Sequence, residues 1–432
     1  MLLRKRHAAA CLTIFLVYMS CLPWARGQEN SAASGTANPA KAGVEVISAK
    51  ASDASAERSI TSVSEASAIQ PEIEVVREAP HKGTWLQNKG IEFHATLKTE
   101  VSSNFHNGFS ENGTDARSLL ETVMSVDLSK SFGWPGAQVT GSFHDYIGSN
   151  ATDRLIGDTQ GFSNIDAYRT NRLYELWFQQ TLAHEQLRIK FGQIDANTEF
   201  AYVENATEFL NSSMGFSPTI LDMNTYPDLR LGALAAYTPS KFLSVSAGVF
   251  RCLPSGSMML GEVGTRWKIS ERAAAGRLAV GFWIHPHMLD SFDGTSAYGV
   301  KGFYAVAEQT LWKRSSDMDD DSRGIRAFAQ WGNANPWFNG IAHHLGGGFQ
   351  WVGATSRRPG DIIGFGVTTV QFGQDCDRSM SLGHERAIET FYKVPVRPWL
   401  SFTPDLQWIV NPSGSMERPL ALAGSMRMVI SF

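Results

Sequence analysis

Gly90-Ile91-Glu92-Phe93-His94-Ala95-Thr96-Leu97-Lys98-Thr99-Glu100-Val101 sets the reading of the whole chain. Phe93, Ala95, Leu97 and Val101 share one parity, and Glu92, His94, Thr96, Lys98 and Glu100 share the other. A period of two puts these sets on opposite faces of a β-strand. The far end repeats the pattern: Leu420, Leu422, Met426, Met428, Ile430 and Phe432 alternate with Ala421, Ser425, Arg427 and Ser431. Between these ends, similar alternating stretches of about 9 to 13 residues start near residues 117, 137, 171, 186, 229, 242, 260, 277, 299, 323, 343, 361, 384 and 399, separated by turn residues. Counting both ends, about sixteen strands are expected, an even number that suits an antiparallel barrel.

The connections give an independent expectation. With both termini on the periplasmic side, odd-numbered links come out at about 8 to 34 residues and even-numbered links at about 3 to 10. Long extracellular loops and short periplasmic turns are the asymmetry of transmembrane barrels. The short set carries turn chemistry, as in Gly133-Trp134-Pro135-Gly136, Thr238-Pro239-Ser240 and Arg358-Pro359-Gly360. A backbone in hydrocarbon must satisfy its polar groups internally, and a closed sheet does so without an edge. Apolar side chains then face outward and polar ones face a wet lumen. Tyr174, Phe178, Tyr237, Trp267, Phe282, Trp351, Tyr392, Trp408 and Phe432 fall on or near the apolar parity and are expected in interfacial girdles. An exported soluble propeller or sandwich is the alternative; the link asymmetry and a last strand ending at Phe432 favour the membrane barrel.

Composition agrees. Charged residues make up 19% of the 432, below the roughly 25% of soluble domains, while Gly numbers 39 and aromatics reach 11%. A net charge of −4 gives no basic footprint for nucleic acid. Four cysteines exclude a disulfide scaffold, and a mean hydropathy of −0.17 excludes a bundle of apolar spanning helices. At the start, Arg4-Lys5-Arg6-His7 precedes an apolar run from Ala8 to Leu22, a break at Pro23, and Ala25-Arg26-Gly27. Residues 1–27 therefore read as a secretory signal peptide, too short for a membrane anchor and without a good lipobox before Cys21. Cleavage would leave a mature charge of about −8 and only Cys252 and Cys376, which could pair in an oxidising compartment. Residues 28–84 are rich in Ala, Ser and Glu and contain no aromatic residue, so they read as a disordered periplasmic linker. The barrel is expected over 85–432.

Longer motifs point to a family. Gly157-Asp158-Thr159-Gln160-Gly161-Phe162-Ser163-Asn164-Ile165, followed by Arg172-Leu173-Tyr174-Glu175-Leu176-Trp177, resembles the carbohydrate-selective porins of the OprB family. Gly192-Gln193-Ile194-Asp195-Ala196-Asn197-Thr198-Glu199-Phe200, Phe209-Leu210-Asn211-Ser212-Ser213 and Tyr226-Pro227-Asp228 do so as well. So do Gly133-Trp134-Pro135-Gly136 and, near the end, Glu385, Glu389, Tyr392, Pro404-Asp405-Leu406-Gln407 and Asn411-Pro412. The resemblance spans roughly 85 to 432 and gives no role to the linker. It implies a sixteen-stranded outer-membrane porin that passes sugars, glucose among them, by passive diffusion. It also implies that the connection after the fifth strand folds into the pore.

Selectivity needs a constriction of suitable size and hydrogen-bonding groups. The connection from about Asp195 to Asp228 is too long for a featureless loop. Its Asp195, Asn197, Glu199, Phe200, Tyr202 and Glu204 can bind hydroxyls and cover sugar faces, or instead anchor the loop to the wall. Glu175, Trp177, Arg188 and Lys190 fall on the neighbouring lumen parity. Arg230, Arg266, Glu308, Arg326, Gln330, Glu385, Glu389, Asp405, Gln407 and Arg427 are also expected inward, where opposed charges would set a transverse field or brace the wall.

Catalytic signals are weak: no Gly-x-Ser-x-Gly elbow or His-Glu-x-x-His helix occurs. His343-His344 has neighbours facing opposite ways, so both are expected as surface histidines rather than joint metal ligands. Asp317-Met318-Asp319-Asp320-Asp321 lacks a calcium loop's glycine and final glutamate and reads as a periplasmic turn. Gly346-Gly347-Gly348 reads as small wall residues. No enzyme activity, cofactor or metal is expected, and the partners expected are sugars and outer-membrane lipid, with no nucleic acid. A homo-trimer and a monomer are both compatible. The competing function is a barrel that acts through its extracellular loops as an enzyme or adhesin.

Overall fold

The computed structural model describes residues 85–110, 112–252, 256–268, 275–314, 323–374, 383–415 and 420–432. The signal peptide, the linker, Cys376 and the 317–321 turn lie outside the described residues. Sixteen strands follow in chain order: β1 Ile91–His106, β2 Thr114–Asp127, β3 Ala137–Gly148, β4 Thr170–Leu182, β5 Leu187–Gln193, β6 Leu231–Ser240, β7 Leu243–Arg251 and β8 Ser257–Lys268. The second half comprises β9 Ala275–Asp290, β10 Ser296–Lys313, β11 Gly324–Ala334, β12 Ile341–Val352, β13 Ile362–Phe372, β14 His384–Arg397, β15 Leu400–Val410 and β16 Leu420–Ser431. Each begins within about three residues of its expected start.

Each strand pairs with its sequence neighbour, and β1 pairs antiparallel with β16, so the sheet is a closed barrel without an edge. Lengths run from 7 residues in β5 to 18 in β10. Strands such as β1, β9 and β10 continue into stretches expected as links. Two connections stand apart in length, 149–169 after β3 and 194–230 after β5.

The side-chain pattern inverts that of a water-soluble barrel. In β1, Lys98 is 2% exposed and Glu100 0%, both facing inward, while Val101 faces out. Around the wall, Val263 is 51% exposed and Leu345 65%, with Val280, Phe303 and Met426 also outward. Tyr237, Phe282, Trp351, Tyr392 and Phe432 are exposed as the parity predicts. Tyr174 is not: it is buried, and its ring stacks on His144 at 3.7 Å between centroids. A register shift between Ser142 and Phe143 in the β3–β4 pair turns it inward, and a strict period of two cannot see such a bulge. His344 is a second correction. It does point opposite to exposed His343, but it is buried against Ser217 and Thr368 rather than on the surface.

The closing seam is fastened from inside. Glu100 lies in register with Arg427 of β16 and Arg117 of β2, and its carboxylate bonds to both guanidinium groups. Arg117 also meets Asp166 at 2.6 Å, and Ser163 Oγ donates to Glu100 at 2.8 Å. Two strand pairs and the 149–169 connection thus share one buried charge network.

Candidate functional site

The two long connections fold inward and pack against the polar face of the wall. Local capping shapes the 194–230 connection. Asp195 accepts the Asn197 N–H at 2.9 Å and caps a turn over Ala196–Thr198; Asn211 accepts the Ser213 N–H at 3.1 Å and caps the short helix Ser212–Gly215. Apolar residues then face the wall: Val203, Ala206, Phe209 and Met214 pack with Val306, Phe328 and Phe391. Phe200 packs edge-on to Phe250 at 6.0 Å. Gly366 of β13 makes room for this approach, because a Cβ there would lie 2.8 Å from the Phe209 ring and 2.9 Å from Met214 Cε.

A series of wall side chains grips the connection by its backbone. Glu175 of β4 accepts the Asp195 N–H at 3.1 Å, Glu262 of β8 accepts that of Ala201 at 2.8 Å, and Glu308 of β10 accepts that of Asn205 at 2.7 Å. Glu389 of β14 takes two, from Leu210 at 2.6 Å and Asn211 at 3.0 Å. Gln330 of β11 donates back to the Ser213 and Met214 carbonyls at 3.1 and 2.7 Å. Glu385 does the same service for the 149–169 connection, accepting N–H groups from Thr159 at 2.8 Å and Gln160 at 2.9 Å. Gln407 donates to the Phe162 carbonyl at 2.9 Å, accepts from Asn211 Nδ2 at 3.2 Å and donates to Asp405 at 3.1 Å. Hydrogen bonds to charged groups contribute about 1.5–3 kcal/mol each, so this ladder fixes the path of the chain across the lumen.

Arg188, Lys190 and Glu199 come together as a second anchor. Glu199 receives both ends of the Arg188 guanidinium, at 3.0 and 2.6 Å, and Lys190 Nζ at 2.9 Å. Lys190 also sits 3.9 Å above the Trp177 ring. Burial alone would push Glu199 up, but Lys190 and Arg188 outweigh it and hold the carboxyl at about 2. Asp195 takes the Tyr174 hydroxyl at 2.5 Å, while burial and the nearby Glu175 push its carboxyl up to about 7. Asp195, Asn197 and Phe200 are fully enclosed between loop and wall.

A different stretch of the same connection keeps contact with open space. Tyr202, Glu204, Asn205, Thr207 and Glu208 remain partly exposed while Val203, Ala206 and Phe209 beneath them are buried. Basic wall groups meet this strip: Arg277 donates to the Tyr202 carbonyl at 2.7 Å, Arg266 lies 4.0 Å from Glu204, and Lys393 lies 2.8 Å from Glu208. The strip therefore offers an aromatic face, two carboxylates, an amide and a hydroxyl opposite three cations. Tyr202 and Glu204 were expected there. Asn205, Thr207, Glu208, Arg277 and Lys393 were not singled out, although Arg277 and Lys393 lie on inward parity of their strands and could have been found that way.

The family model for carbohydrate-selective porins of the OprB family matches residues 111–276 and 253–432. Porin B of Pseudomonas aeruginosa is 23% identical over 412 residues, covering 81% of this chain and 89% of that protein. Porin AaxA of Chlamydia abortus is 23% identical over 287 residues, covering 64% of this chain and 60% of that protein. The high-pH structure of Pseudomonas putida OprB superposes with a TM-score of 0.73 at 22% identity, covering 80% of this chain and 95% of that one, and shares its fold. With a closed barrel of sixteen strands, inward-folded connections and a family match over most of the barrel, this chain belongs to the OprB family of carbohydrate-selective porins.

Proposed function

We propose that the protein is a passive diffusion channel for small neutral sugars, glucose-like monosaccharides among them, set in a bacterial outer membrane after export through its signal peptide. The observation that carries this reading is the partly exposed 202–208 strip held across the lumen. Closely opposed acids and bases hydrogen-bond to hydroxyls from several directions without favouring either net charge. The Tyr202 ring supplies an apolar surface suited to the C–H face of a sugar. The outward apolar wall suits lipid, because exposed Val, Leu and Phe in this density would be costly in water.

In this reading Glu175, Trp177, Arg188, Lys190, Asp195, Asn197, Glu199, Phe200, Glu385, Glu389, Asp405 and Gln407 act mainly as supports. They fix the connection so that the strip stays in place, as rigid surroundings must for any recognition surface. Of the expected residues, Tyr202 and Glu204 join the solute-contacting strip directly.

Proteoliposome swelling tests the function. Glucose should permeate readily, larger oligosaccharides more slowly, and gluconate or glucosamine should gain no advantage from charge. Absence of permeation by every sugar would overturn the channel reading.

A further inference from the structure

At one rim of the barrel, three side chains from separate segments converge: Asp222 of the 194–230 connection, Cys252 just after β7 and His285 of β9. One ligand atom from each lies within 4.8 Å of the other two. The sugar-channel reading gives this cluster no task, and it lies outside the 202–208 strip.

Its chemistry is arranged in the manner of a metal site. His285 Nε2 contacts the Leu221 carbonyl at 3.1 Å, where only an N–H can bond to an oxygen acceptor. That bond selects the tautomer whose Nδ1 carries the lone pair, the outer bond by which metal-binding histidines are oriented. Nδ1 faces Cys252 Sγ at 3.9 Å. Zinc bonds of about 2.3 Å to sulfur and about 2.0–2.1 Å to nitrogen separate their ligands by about 3.6 Å at the tetrahedral angle. The gap therefore needs only a small inward adjustment. Asp222 follows Leu221 directly, so the segment that orients His285 also delivers the carboxylate; its Oδ2 lies 4.0 Å from Nε2, and a carboxylate oxygen falls within the 4.8 Å group.

His285 and Cys252 are buried while Asp222 is 40% exposed, which leaves a path for an ion from water. Beside them stands His287, its ring 5.2 Å from that of His285 and nearly perpendicular. His287 Nδ1 is buried and makes no hydrogen bond among the described residues. It is not among the ligand atoms that converge within 4.8 Å, and would have to turn toward them to take a fourth position.

We infer that Asp222, Cys252 and His285 form a binding site for a divalent transition ion of the zinc class, with His287 or water completing four-coordination. A thiol, an imidazole and one carboxylate suit zinc or cobalt better than calcium or magnesium, which prefer all-oxygen sets. Binding releases the Cys252 thiol proton to solvent and forms the metal–sulfur bond. The ion would join the end of β7, β9 and the 194–230 connection where Cys252, Ile220, Met223 and Trp283 already pack together.

The test uses the purified full chain in detergent. Calorimetric titration with Zn²⁺ should give one ion per chain, and Co²⁺ should produce a near-ultraviolet thiolate charge-transfer band. Cys252→Ser should abolish the band and weaken Zn²⁺ binding at least about tenfold, and Asp222→Asn should weaken it while keeping the band. Retained heat-resistant electrophoretic mobility confirms that each variant is folded. Failure of the folded wild-type chain to take up stoichiometric Zn²⁺, or equal affinity in Cys252→Ser, overturns the inference. Sugar permeation is measured separately, so either reading can fail alone.

Discussion

Two groups of arginines and glutamates inside the same barrel differ in one respect. At the seam, Glu100, Arg117 and Asp166 are completely enclosed and each charge meets a partner. At the 202–208 strip, Glu204 and Arg266 are 39% and 38% exposed and stand 4.0 Å apart. Dry, close and networked, the first group locks β1, β2, β16 and the 149–169 connection into one geometry. Open to water, the second pair stands where a solute can reach it. Water access, more than residue type, separates a closed brace from an open lining.

The comparison breaks most sharply at Glu100. Glu100→Ala leaves Arg117 and Arg427 buried without their shared carboxylate, and the loss should be about 3–5 kcal/mol, read as a lower unfolding midpoint in denaturant. Next comes Glu389→Leu, which strips the Leu210 and Asn211 N–H groups of their acceptor. Each unsatisfied group costs about 1–3 kcal/mol, so the connection should detach locally. Single-channel conductance should rise and sugar preference fall, with the barrel itself intact.

A smaller effect concerns pH. Asp195 has a carboxyl raised to about 7, by burial first and Glu175 second. Its folded pKa lies above the unfolded value, so the folded state holds the proton more tightly. That contribution is fully present below about pH 4 and is lost as pH rises through about 7. Limited proteolysis of the 194–230 connection should therefore be faster at about pH 8 than at about pH 6, and Asp195→Asn should flatten the difference. Smallest of all, Glu204→Gln should change the unfolding midpoint by less than about 1 kcal/mol, since its side chain is 39% exposed and solvent screens its charge.

The barrel was legible because a wall between two unlike environments writes its period into every strand. The exceptions have local causes: the bulge opposite Ser142 that turns Tyr174 inward, and the inward connection that covers His344. The site was half legible. Arg188, Lys190 and Glu199 are conspicuous as polar residues near a long connection, yet parity cannot tell an enclosed anchor from an open lining. Asn205, Thr207 and Glu208 carry no period at all. Their shared exposure arises only when Val203, Ala206 and Phe209 are drawn against Phe328 and Phe391.

The most direct test is the conductance of single channels in a planar bilayer, titrated with glucose. In the wild-type protein, glucose should reduce ion current in a saturable manner, because sugar occupies the 202–208 strip. The triple variant Tyr202→Ala, Glu204→Ala, Glu208→Ala should conduct ions while losing that saturable block. Undiminished block in the triple variant would contradict placement of the sugar contact on this strip.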